Sequence, residues 1–178
     1  MKKILILALT LFSLSITAQE INWMTLEQAV EAQKTAPKKI FVDAYTIWCG
    51  PCKMLDKNTF HNKNVADFVN ENYYAVKFNA EGNETIKFKG VTYSNPNFKP
   101  DTSGRNSSHQ LSALFGIRAY PTLLFLDEEA NLIAPIPGYK TPSQLELYLK
   151  FFENTDVKNI TKEVWDDYAS NFKAEFKD

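Results

Sequence analysis

The chain has 178 residues, 44% hydrophobic and 23% charged, with a formal net charge of −1. That composition suits one globular domain with a core of its own, with no internal repeat or low-complexity tract. The mild, mixed charge leaves no electrostatic footprint for nucleic acid or an anionic membrane, so neither is expected as a partner.

The first residues differ in kind from the rest. Met1-Lys2-Lys3 is a short basic start, Ile4 to Ile16 is almost wholly apolar, and the small residues Thr17 and Ala18 precede the polar pair Gln19-Glu20. This is the layout of a secretory signal peptide cleaved after Ala18, which predicts an exported, periplasmic protein. The competing reading is an uncleaved anchor, for which the apolar run falls short of the ~20 residues of an ordinary span. No cysteine precedes Cys49, so nothing near the cleavage point could carry a lipid. Residues 19–178 are then read as a single domain.

Thr25-Leu26-Glu27-Gln28 has the form of a capping box and opens a helix over residues 25–35, ended by Pro37. Lys39 to Tyr45 is short, apolar and β-branched, the pattern of a strand buried on both faces, in which the charged Asp43 is out of place. Trp48-Cys49-Gly50-Pro51-Cys52-Lys53 follows, leading into a helical stretch, and Asn64 to Asn72 is helical again. Tyr73 to Asn79 reads as a second strand. The polar segment Glu81 to Asn106 interrupts this rhythm and has room for a small hairpin around Ile86, Phe88, Val91 and Tyr93. Ser107 to Gln110 reads as a helix cap before Leu111, Leu114 and Phe115. Thr122–Leu126 and Leu132–Ile136 form a predicted antiparallel pair. Thr141-Pro142-Ser143-Gln144 starts a helix running to about Phe152. A last helix is expected near Thr161 to Phe176, with Trp165, Tyr168, Phe172 and Phe176 on one stripe, read as core packing. Alternating strands and helices that end in a hairpin plus helix indicate an α/β domain with a mixed sheet.

The two cysteines carry the chemistry. A bridge between Cys49 and Cys52 closes too short a loop to restrain the unfolded chain much, so it is a poor staple. At the junction of a buried strand and a helix start, unpaired N–H groups and the helix dipole favour a thiolate at Cys49, the form that attacks a disulfide. Cys52, one turn on, lies on the same side within bridging distance; it is expected to be the more buried sulfur and to act second. Pro51 stiffens the turn, Gly50 admits a partner's backbone, and Trp48 shields one edge. A zinc site needs four ligands, whereas His61 and His109 have no ligand-like spacing and read as surface or cap residues, so no metal is expected. An inert structural disulfide is the bland alternative. Burial should raise the Asp43 pKa and suit it to take a proton from Cys52, with Lys77 of the adjacent strand as its partner. The competing reading of Asp43 and Lys77 is a buried pair held for packing alone.

Three segments together resemble the thioredoxin superfamily: Phe41-Val42-Asp43 leading to Trp48-Cys49-Gly50-Pro51-Cys52-Lys53, Val76-Lys77-Phe78-Asn79, and Phe115-Gly116-Ile117-Arg118-Ala119-Tyr120-Pro121-Thr122-Leu123. The resemblance covers about residues 38–152 and extends to Gly138 after the last strand. It implies a thioredoxin fold: a central mixed sheet flanked by helices, with an insertion at about 81–106 before the Pro121 segment and a helical extension at about 155–178. It also implies a cis Tyr120–Pro121 bond facing the dithiol, with Tyr120 touching substrate. The motif helix lacks the proline that kinks ordinary thioredoxins. In that it is similar to the periplasmic thioredoxin-like domain of transmembrane disulfide reductases.

Direction of electron flow is a separate question. Potentials in the superfamily run from about −270 mV for thioredoxin to about −120 mV for DsbA, and the Gly50-Pro51 dipeptide is that of the reducing end. The expected activity is therefore reduction of disulfides in exported proteins by a monomer kept reduced by an upstream thiol donor, a membrane disulfide reductase, with no cofactor beyond the two sulfurs. A disulfide oxidase or isomerase, and a binding or chaperone module with an idle dithiol, are the alternatives.

Overall fold

The computed structural model describes residues 20–178, so the predicted signal segment lies outside the described residues. Five strands form one sheet in the order β1-β3-β2-β6-β7: β1 (Trp23–Met24), β2 (Ile40–Tyr45), β3 (Tyr74–Asn79), β6 (Thr122–Leu126) and β7 (Leu132–Pro137). The β1–β3 and β2–β3 pairs are parallel; β2–β6 and β6–β7 are antiparallel, giving the mixed sheet expected from the sequence. β1 has only two residues, too few for any period to register, and was not foreseen.

The pleat decides what each face carries. Ile40, Val42 and Ala44 of β2 pack with Leu26 and Ala29 of α1 (Leu26–Gln33) and with Leu111 of α4 (Gln110–Leu114). Phe41 points the other way, into a cluster with Leu55 of α2 (Gly50–Leu55), Val65 and Val69 of α3 (Lys63–Asn72), and Leu145 and Leu149 of α5 (Pro142–Asn154). Asp43, two residues on, shares the face of Phe41 and so lies on the α2 side. Both clusters are closed to solvent, which leaves β3, β2 and β6 at the centre of three layers.

The insertion holds the expected hairpin, β4 (Ile86–Phe88) with β5 (Val91–Tyr93). Its two-residue loop, Lys89-Gly90, has positive φ at both positions (48° and 80°), the turn that matches strand twist and that glycine tolerates best. Phe88 and Ile86 pack into the α1/α4 cluster, so the hairpin is anchored to the core.

Two helical segments depart from the sequence reading. The stretch after Cys52 widens into a π-helical turn at Asp56–Phe60, in place of a plain α-helix. The last helix, α6 (Lys162–Asn171), stops five residues earlier than expected, leaving Phe172 and Phe176 beyond it. Trp165 and Tyr168 do pack on α5, against Tyr148 and Phe151. Beyond Asn171 a buried carboxylate wins the competition for the backbone: Glu146 is fully buried, and its Oε2 accepts the N–H groups of Glu175 and Phe176 at 2.8 Å each. Those donors would otherwise extend the helix. Lys150 Nζ, 2.7 Å from Glu146, balances the charge, and Phe176 lands edge-on against Phe68.

Replacing Glu146 with Ala should therefore cost about 2–4 kcal/mol, because two charge-assisted hydrogen bonds are lost and Lys150 loses a buried partner. Denaturant midpoints would measure the cost, and faster amide exchange at Glu175 and Phe176 would locate it.

Candidate active site

β2 ends at Tyr45, and four residues, Thr46 to Cys49, carry the chain across to α2. Cys49 is the helix cap: its backbone is extended (φ −73°, ψ 107°) and its Sγ accepts the Cys52 N–H at 3.1 Å. Cys49 and Cys52 are bridged, with Cα atoms 5.3 Å apart, as their spacing allows. Gly50 and Pro51 are exposed on the first turn. The expectation that Cys52 is the more deeply buried sulfur is not met, since Cys49 is 2% exposed and Cys52 5%. The reason is a cleft of about 200 Å³ that opens on Cys52 and is lined also by Asp43, Thr46, Asp56 and Lys77.

That cleft brings the predicted acid–base pair together with the dithiol. Lys77 Nζ lies 3.1 Å from Asp43 Oδ2 and 2.5 Å from Asp56 Oδ1. The first contact follows from sheet register, which sets Lys77 directly opposite Asp43. The second was not read from the sequence: a polar residue four places after Cys52 looks like a solvated helix face, and only the fold turns it inward. Asp43 is 1% exposed, and among the described residues neither its Oδ1 nor the Oγ1 of buried Thr46, which lines the same cleft, has a hydrogen-bond partner. Burial raises the Asp43 pKa to about 6, even though the Lys77 charge pulls it down. Burial works against the Lys77 charge too, but the two carboxylates outweigh it and hold its pKa above the ordinary value. The rings of Trp23, Tyr45 and Phe60 surround the Lys77 ammonium at 4.9 to 5.4 Å from their centroids.

On the other side of the dithiol the Tyr120–Pro121 peptide is cis, as the resemblance implies. Pro121 C=O accepts the N–H of Gly138, whose φ of +85° suits a residue without a Cβ. Tyr120 is half-buried and meets Trp48 edge to face at 5.9 Å. The indole N–H of Trp48 donates to Glu81 Oε2 at 2.7 Å, an oxygen that also accepts the Asn106 N–H. Arg105 lays its guanidinium over the indole face, 4.6 Å from the ring centroid. Glu81, Arg105 and Asn106 all come from or border the insertion, which therefore does border the site. No sequence signal marked them, because their partners lie 25 to 57 residues away along the chain. His109 caps α4 and is buried, its Nδ1 accepting the Leu111 N–H; His61 is exposed.

A family model for the thioredoxin-like domain matches residues 26–153, spanning both cysteines, Asp43, Lys77 and Pro121. The chain belongs to this family. With a thioredoxin-like fold and a Cys-x-x-Cys pair, it is a thiol–disulfide oxidoreductase in general character. Among relatives, an uncharacterized protein of Haemophilus influenzae is 27% identical over 160 residues, covering 83% of this chain and 98% of its own. A thioredoxin-fold protein from Helicobacter pylori superposes with a TM-score of 0.58 at 16% identity, over 75% of this chain and 83% of its own. A putative disulphide-isomerase from Bacteroides thetaiotaomicron gives a TM-score of 0.53 at 26% identity, over 79% of this thioredoxin-like chain and 98% of its own.

The Asp43 pKa has a consequence for stability. The folded chain holds the proton more tightly than an unfolded one with an ordinary value of 3.8, so the stabilisation is full below that value and is lost as pH rises through about 6. Asp43→Asn is thus expected to stabilise the protein by about 2–3 kcal/mol above about pH 7 and to change it little near pH 4, read from denaturant unfolding at both.

Proposed function

We propose that this chain is an exported protein-disulfide reductase that works by dithiol–disulfide exchange through Cys49 and Cys52. The observation that carries the reading is the cleft in which Cys52 and the unpartnered Oδ1 of buried Asp43 meet. Starting from the reduced pair, the Cys49 thiolate attacks one sulfur of a substrate disulfide held beside Pro121, and the other leaves as a thiolate that takes up a proton. Cys52 then loses its proton to Asp43, directly or through a water that the polar cleft is large enough to admit. The Cys52 thiolate attacks Cys49 Sγ, the bridge forms, and the substrate's remaining sulfur departs as a thiolate that takes the proton held by Asp43. Two electrons pass from the dithiol to the substrate, with one proton from Cys52 by way of Asp43 and one from water. An upstream thiol donor, which we take to be a membrane disulfide reductase, restores the dithiol.

The Gly50-Pro51 dipeptide supports the reducing direction, and the Met1–Ala18 segment supports export to the periplasm. The putative isomerase from Bacteroides thetaiotaomicron favours isomerisation of wrongly paired disulfides as the second reading. Trp48, Gly50, Pro51, Tyr120 and Pro121 form the substrate-facing rim in either case.

A Cys52→Ser variant should accumulate mixed disulfides on Cys49, which mass spectrometry of exported extracts identifies, and Cys49→Ser should trap none. Full function retained by Cys49→Ser would instead favour a binding module with an idle dithiol. Equilibration with glutathione is expected to give a potential near the thioredoxin end, and one above about −180 mV would reverse the assignment. Insulin reduction should outpace refolding of scrambled ribonuclease. The exported protein should begin at Gln19. The resolving rate should rise with pH through about 6 and flatten in Asp43→Asn, in stopped-flow release of substrate thiol.

A further inference from the structure

Trp48 stands next to Cys49 and is held on three sides, by Glu81 at its N–H, by Tyr120 at its edge and by Arg105 over its face. Only the last of these contacts leaves a charge facing outward. Arg105 is exposed, and among the described residues no carboxylate reaches ion-pair distance of it. Two more exposed cations make no ion pair among the described residues: Lys53, next to Cys52, and Arg118, two residues before Tyr120 in the chain. Asp43 and Asp56 share the one Lys77 ammonium, and both donors on Glu81 are neutral N–H groups, so the site keeps carboxylate charge of its own. Glu81 holds the indole at its N–H, while the exposed Arg105 carries its charge over the ring face, so the cation that an incoming disulfide meets at Trp48 is Arg105.

We propose that Arg105 is a specificity-determining residue that selects substrates carrying Asp or Glu beside the reacting cystine. Among the described residues neither Lys53 nor Arg118 lies over an aromatic ring, whereas stacking on Trp48 fixes the Arg105 guanidinium in advance. Less side-chain freedom is then lost when it grips a carboxylate. A planar fork also offers two parallel N–H donors to one carboxylate, so the contact orients the substrate as well as attracting it. The inference rests on the exchange reading above and names the substrate class for it.

The test uses two cystine peptides of equal length, one with Glu next to the disulfide and one with Lys. The wild-type protein is expected to favour the acidic peptide in kcat/KM by about fivefold at low ionic strength and by less than about twofold near 1 M salt. Arg105→Gln should bring the ratio close to parity, Arg105→Glu should invert it, and Arg105→Lys should restore part of it. If Arg105 only braces Trp48, both peptides slow together and the ratio holds, which overturns the assignment, as does a wild-type ratio near one. A second measurement separates this idea from the chemistry. The same peptides with Ser in place of Cys are titrated into the Cys49→Ser/Cys52→Ser protein while the Trp48 indole N–H resonance is followed. Arg105-dependent preference for the acidic peptide, with no turnover of either cystine peptide, would discard disulfide exchange and keep the role of Arg105. Turnover with equal rates and equal binding for both peptides would do the opposite.

Discussion

A central strand covered on both faces must leave the sheet at its carboxyl end, and the way β2 leaves it sets most of what this molecule can do. Phe41, fully buried between the sheet and the α2, α3 and α5 helices, fixes which face of β2 is up. The period of two then puts Asp43 on that same face. Four residues after β2 ends, the chain enters α2, so the helix start that holds the sulfurs lies over the carboxyl set by the strand. Cys49, Cys52 and Asp43 are thus related through one continuous stretch of ten residues whose geometry is dictated by core packing.

Lys77 extends this arrangement sideways. It reaches Asp43 through register and Asp56 through the π-helical turn, so two carboxylates compete for one ammonium within a ring of aromatic faces. Charge in such a place is costly unless paired, and the pairing is unequal: Asp56 is the closer partner and the more exposed. Asp43 keeps one oxygen without a hydrogen bond. Burial is what raises the Asp43 pKa to about 6; Lys77 offsets part of that rise, and the nearby Asp56 charge adds a little to it.

Much of this was legible in the residues. The Cys-Gly-Pro-Cys run after a β-branched strand, a carboxylate stranded in that strand, and a lysine in the next one are all local signals, and the fold placed each where its pattern indicated. The two capping boxes at Thr25 and Thr141 are present with both reciprocal hydrogen bonds. What could not be read depends on distant partners. Asp56 looks solvated until the π-helical turn brings it to Lys77. Glu81 and Arg105 sit in a polar segment with no period, and their meaning comes from an indole far back in the chain. Phe172 and Phe176 continue a helical stripe on paper, but a fully buried Glu146 claims the amides of the residues that would prolong it. The relative burial of the two sulfurs failed as an expectation for a similar reason, since it reflects a cleft assembled from three separate segments.

The outer strands matter for how the protein lives among its neighbours. An open sheet edge is a template on which other chains can pair, and both ends of this sheet are blunted. At one end β1 offers two residues. At the other, β7 carries Pro135 opposite Leu124 and Pro137 opposite Thr122, two positions with no amide hydrogen to give an added strand. An open edge would invite extended segments of other chains, or of a second copy of this one, to add strands and aggregate. Here such segments are discouraged from zipping onto the flanks.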